Sequence, residues 1–225
     1  MNWFNLTLIS LLFLTQDSTS TPRPKDLNNS FHCHRTVYAL QDFDSGTTAA
    51  IAPNHSDRIL LAKDYSFRVM RGQTEIGSVQ IKDLSSNIEI LWAPDSKKFA
   101  ITYSDGGAEG AFHAHIYELS HDGVKEFPKP VRVAFDDFKT HDYCKKRGNN
   151  VFVEGWTSDS RSVFVVTEVF PTGDCGRKFG KLGGYFMDLQ GQILSRYNNK
   201  QTALMQKSWE KTGSTPIPPV VVQLD

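Results

Sequence analysis

Apolar residues in this chain fall into short runs separated by clusters of Pro, Gly, Asp, Asn and Ser. Runs of about four to eight β-branched and aromatic residues bounded by turn formers predict strands joined by tight turns. Three segments share one pattern: Ile51–Leu61, Trp92–Ile101 and Trp156–Val166. Each opens on a large apolar residue and passes through two small or Pro residues, such as Ala93-Pro94. A polar turn carrying Asp or Asn with Ser follows, then a basic residue and an apolar run. The opening residue ends one strand, Pro fixes φ, Asp and Ser bond back to the chain, and the apolar run is the partner strand. Trp92, Pro94, Asp95, Trp156 and Asp159 therefore read as structural corner residues.

A second hairpin follows each corner. It spans Tyr65–Ile81 in the first copy, Phe112–Phe127 in the second and Gly184–Tyr197 in the third. The copies cover about 47–81, 87–127 and 151–197 and predict about four strands each. The third corner follows the second at a longer interval, because residues 128–150 are inserted. Within the insertion, Pro130, Val131, Ala134, Phe135 and Phe138 keep helical spacing, which predicts an amphipathic helix over 130–146. Thr202, Met205 and Trp209 predict a second helix near 199–211, stopped by Gly213 and Pro216.

The run Trp92-Ala93-Pro94-Asp95-Ser96-Lys97-Lys98-Phe99-Ala100-Ile101 resembles the strand–turn–strand signature of TolB-type, WD-like β-propeller repeats. Trp156–Val166 is similar to it, and Ile51–Leu61 is a weaker match without the Trp. The resemblance covers about 40–200, and the segment from Val131 to Tyr197 also resembles uncharacterised exported bacterial proteins with such repeats. It implies an all-β fold of three blade-like antiparallel sheets, a partial or small propeller carrying one inserted helix. Propellers close with about 4–8 blades. A fourth blade built from Thr36–Gln41 and Val220–Leu224, an open half-propeller, a homodimer, and a compact sandwich of the same hairpins are the alternatives.

The N-terminus carries an address. Residues 6–14 are apolar but too short to span a bilayer, and Ser18 and Ser20 supply small residues before a cleavage site. The region before them lacks Lys and Arg. The reading is a signal peptide over 1–20 cleaved near Ser20, a leader over 21–31, and a single domain over 32–225. The mature protein is then secreted or periplasmic, with no transmembrane segment. In an oxidising compartment the three cysteines are expected to pair. A Cys144–Cys175 bridge would close a loop of about thirty residues, worth about 3–4 kcal/mol in the chain-entropy model. Cys33 is then left over.

Lys plus Arg number 25 and Asp plus Glu number 25, so the net charge is zero. That balance argues against a nucleic-acid partner and against a polybasic membrane-surface protein. His113 and His115 stand at i and i+2 on a predicted strand, on one face. With His121 in the next turn they form a candidate zinc or copper site, and His32, Cys33 and His34 add further donors. The competing reading is a half-buried, hydrogen-bonded pair. The loop Asp105–Gly110 has no GK[ST] ending and opens no helix, so it reads as a hairpin loop. Gly173, Gly176, Gly180, Gly183 and Gly184, with Arg177, Lys178 and Lys181, read as a basic solvated loop. No nucleophile elbow or paired-carboxylate motif stands out. The expected function is an exported, non-enzymatic binding module that meets a protein or cell-envelope partner through its blade loops and holds no cofactor. The alternative is a metal-binding secreted protein or metal-dependent enzyme built on His113 and His115.

Overall fold

The alternating apolar runs fold into antiparallel strands. The structure, a computed structural model, describes residues 34–38, 49–62, 64–82, 84, 86–106, 110–141, 149–170 and 173–212. Strand β1 (His34–Tyr38) is followed by β2 (Ala49–Ile51), β3 (Asp57–Leu61), β4 (Ser66–Arg71) and β5 (Thr74–Gln80). Next come β6 (Ser86–Trp92), β7 (Lys98–Ser104), β8 (Phe112–Ser120) and β9 (Gly123–Glu126). Helix α1 (Pro128–His141) leads to β10 (Asn149–Trp156), β11 (Ser162–Val169), β12 (Leu182–Asp188), β13 (Ile193–Tyr197) and helix α2 (Asn199–Thr212). The first sheet is β2-β3-β4-β5, the second β1-β6-β7-β8-β9 and the third β10-β11-β12-β13. Every pairing is antiparallel.

The three sheets coincide with the three sequence copies. The protein is thus mostly β, and its two helices among the described residues stand where the spacing predicts them, in the insertion and after the third copy. Thr36–Tyr38 do not begin a fourth sheet. They pair with Ile90–Ile88, so β1 covers the free edge of β6 and blunts a site for stray strand pairing. Val220–Leu224 lie outside the described residues. Helix α1 starts at Pro128 rather than Pro130, with Pro130 buried in its first turn, and its described part ends at His141.

Period-two alternation assigns side chains to three core layers. Ile88, Ile90, Trp92, Phe99 and Ile101 of the second sheet join Phe67 and Val69 of the first. Their neighbours Leu91, Ala100, Ala114 and Ile116 point the other way, against Val153, Trp156, Val163 and Val165 of the third sheet and Ala134 and Phe138 of α1. The far face of the third sheet, with Phe164, Val166, Phe186 and Tyr197, packs against Met205 of α2. β7 and β11 are buried on both faces for this reason, and their sequences read as continuous apolar runs.

The corners repeat in three dimensions. The amide of Ala52, Ala93 or Thr157 donates to the carbonyl of Asp57, Lys98 or Ser162 at 2.9–3.0 Å. The carboxylate or amide oxygen of Asn54, Asp95 or Asp159 accepts the N–H two residues on, at 2.8–3.0 Å. Successive sheets are locked by the same two contacts. The Trp92 indole N–H donates to the Ala50 carbonyl at 3.1 Å, and the Trp156 indole N–H to the Leu91 carbonyl at 3.2 Å. The Ser96 hydroxyl oxygen accepts the Asn54 N–H at 2.9 Å, and the Ser160 hydroxyl oxygen accepts the Asp95 N–H at 3.0 Å. Ser96 and Ser160 sit at φ 57° and 58°, a region that is costly for residues with a Cβ. A glycine there would be relaxed but would have no hydroxyl for the neighbouring sheet. In the first copy the equivalent positions hold Ile51, which is 56% exposed, and His55.

Candidate functional site

The site grows from the place where β9 ends before β8 does. β9 pairs with β8 only from Tyr117 to Ser120. The Phe127 N–H donates to the Ile116 carbonyl at 2.7 Å on that edge. Backbone groups on a strand alternate sides, so the Ala114 N–H and C=O point to the same edge, beyond the last β9 pair. Helix α1 and β10 close over this stretch and leave a cleft of about 340 Å³. Its apolar walls include Val131 and Phe135 of α1, Val151 of β10 and Ala114 of β8.

Five polar residues complete the lining: His113, His115, Glu126, Arg132 and Asn149. His113 and His115 project from one face of β8, as the i, i+2 spacing predicts. His113 Nε2 lies 2.7 Å from an Asp105 carboxylate oxygen, and His115 Nδ1 lies 2.7 Å from a Glu126 carboxylate oxygen. Each carboxylate fixes its imidazole's orientation through one ring nitrogen. Tyr103 lies across from both imidazoles, with ring centroids 5.5 Å and 5.8 Å away. Burial pushes the neighbouring Tyr117 hydroxyl far above the ordinary phenol range, aided by the Glu126 charge.

Asn149 is 3% exposed, and among the described residues neither its amide nitrogen nor its amide oxygen, both buried, has a hydrogen-bond partner. Leaving a buried polar group unpaired costs about 1–3 kcal/mol. Its neighbour Asn150 is engaged at both ends: its oxygen accepts the Phe112 N–H at 3.0 Å and its nitrogen donates to Glu168 at 2.8 Å. Burial raises the Glu168 carboxyl above its ordinary range, against the lowering effect of that bond. Arg132 meets no carboxylate among the described residues.

His121 is not part of this arrangement. It stands in the β8–β9 turn with its side chain wholly exposed at 102%, 3.3 Å from Asp122. Five residues of strand rise, from His115 to Ser120, put that turn about 17 Å along β8. Among the described residues no three His, Cys, Asp or Glu gather as a metal-ligand group. His34 lies in β1, whereas His32 and Cys33 are outside the described residues. Cys175, in the 3-10 turn Gly173–Lys178, is disulfide-bonded. Cys144 is outside the described residues. The Asp105 loop is drawn together by Asp105 and Ala111, which exchange contacts at 2.8 and 3.1 Å. Gly183 and Gly184 are not loop residues. They sit inside β12, where a Cβ would meet Phe138 at 2.7 Å and Thr202 at 2.8 Å, so they let α1 and α2 approach the sheet.

Asn149, Arg132 and Glu126 escape a reading by motif. Their one sequence signal is Asn149-Asn150 opening an otherwise apolar strand, a polar pair where a core begins. Comparison with protein-family models, curated proteins and solved structures finds no match to this chain. No described helix is long and apolar enough to cross a membrane.

Proposed function

We propose that this protein is an exported, non-enzymatic binding module built on three blade-like sheets of a partial propeller. Its ligand enters the cleft between the second sheet, α1 and the third sheet, rather than resting on the blade loops alone. The observation behind this reading is the buried, unpartnered amide of Asn149 in the lining of an otherwise largely apolar cleft. Small-molecule sites have this character: apolar walls with a few placed polar groups, in cavities of about 300–1,000 Å³. The test is a ligand-observed NMR screen of small fragments against the full chain and against Val151→Trp, which fills the cleft. Fragments that bind the wild type and are lost from a folded Val151→Trp variant support the reading. Fragments that bind both proteins equally overturn it. Export is tested by the mass of the protein recovered from the extracytoplasmic fraction, expected to begin after Ser20.

A second reading is favoured by one observation. His113 and His115 each carry a carboxylate on one ring nitrogen, which is how metal-bound histidines are held by their surroundings. On this reading the remaining nitrogens of the two imidazoles are the zinc or copper ligands. Elemental analysis of untagged protein decides it: stoichiometric metal that is lost on His113→Ala supports the reading, and metal content unchanged by that substitution removes it.

A further inference from the structure

We infer that the cleft takes a small apolar carboxylate with an adjacent amide, such as an N-acyl amino acid or the C-terminal residue of a peptide; this rests on the cleft being the ligand site. Three features of the lining select that chemistry. Arg132 is the charge in the lining without a partner among the described residues, because Glu126 is engaged by His115 at 2.7 Å. A guanidinium binds a carboxylate through two parallel hydrogen bonds. The Ala114 N–H and C=O face the same edge of β8 as the Ile116 carbonyl, one step beyond the last β9 pair, and lie side by side as an amide in extended conformation requires. This is strand addition limited to a single residue. Asn149 lines the same cleft and brings a second donor and acceptor, both without a partner among the described residues. Val131, Phe135 and Val151 then receive an aliphatic or aromatic side chain.

The features answer different parts of one ligand. A purely apolar guest leaves the Asn149 amide unpaired. A cation meets Arg132 with like charge. A bare fatty acid satisfies Arg132 but neither backbone group.

The experiment is titration calorimetry on the full chain with three probes: N-acetylleucine, its neutral C-terminal amide, and 4-methylpentanoate. N-acetylleucine is expected to bind at least about tenfold more tightly than either control, tenfold being a modest charge-assisted or paired-amide effect. Arg132→Gln, an exposed change on α1, is expected to lower N-acetylleucine affinity by about tenfold and leave the neutral amide unchanged. Circular dichroism of that variant verifies the fold. Equal binding of the neutral amide or of 4-methylpentanoate overturns the ligand assignment while the cleft stands as a binding site. No binding of any probe, with no fragment displaced by Val151→Trp, overturns both.

Discussion

At the residue scale, the corner Trp and Ser work through their polar atoms. Trp156 fills core volume, but its indole N–H also satisfies the Leu91 carbonyl of the preceding sheet. Trp156→Phe keeps an aromatic ring at the corner and removes this bond between sheets, while the Leu91 carbonyl keeps the in-sheet partner its pairing with Ala100 gives it. The expected cost is about 0.5–1.5 kcal/mol in chemical denaturation, the net worth of one hydrogen bond, and the same holds for Trp92→Phe and its bond to the Ala50 carbonyl. Ile51→Trp, at the same repeat position but exposed, is expected to change stability by less than about 0.5 kcal/mol. A large effect at Ile51 would show that something covers this face in solution. The corners were legible in the sequence because their physics is local: Asp95 and Asp159 bond the amide two residues on, and Pro94 fixes the turn. The partners of Trp92 and Ser96 lie 42 residues earlier in the chain, so no window of local pattern contains them.

At the element scale, α1 and α2 flank the third sheet. Helix α1 is held by Phe138 against Gly183 and by Asp137, which takes a two-toothed contact from Arg196 of β13, with the Nη2–Oδ1 distance 2.8 Å. Gly183→Ala places a methyl 2.7 Å from the Phe138 ring, so the helix must shift outward. The expected loss is about 1–3 kcal/mol. Because α1 forms one wall of the cleft, fragment binding should weaken in the same variant; unaltered binding would show that the wall is set by other contacts. The helix itself was readable from the spacing of Ala134, Phe135 and Phe138. Its start two residues earlier, at Pro128, was not, since Pro128 and Pro130 both suit a first turn. The cleft was not readable at all. It exists because β9 stops at Glu126 while β8 runs back to Phe112, a mismatch of strand lengths that leaves no motif behind.

At the scale of the whole molecule, charge sets the pH window of stability. The Arg71 guanidinium holds the buried Asp57 carboxyl below the ordinary Asp range, and Arg196 does the same for Asp137. A lowered folded value adds stability above the unfolded pKa of about 3.9 and loses it as pH falls through the folded value. Glu168, raised by burial, has the opposite sign: its contribution is full below about pH 4.3 and is lost as pH rises through the folded value. Denaturant midpoints measured from pH 7 to pH 2.5 should therefore fall at the acid end. Arg196→Gln is expected to flatten that acid fall. Glu168→Gln, which still accepts from Asn150, is expected to raise stability at pH 7. A Glu168→Gln protein no more stable at pH 7 than at pH 4, relative to wild type, would contradict the burial argument.

The two contacts between successive sheets also have a direction. In both junctions the later segment supplies Trp and Ser, and the earlier one offers only main-chain groups, a carbonyl at Ala50 or Leu91 and an amide at Asn54 or Asp95. Main-chain groups are in place as soon as a corner is made. A chain emerging from its N-terminus thus presents each finished corner as a ready template, and each new Trp arrives to find its acceptor waiting. At these two junctions no contact waits on a residue that has yet to be synthesised; β1, which pairs with the later β6, is the strand that must wait.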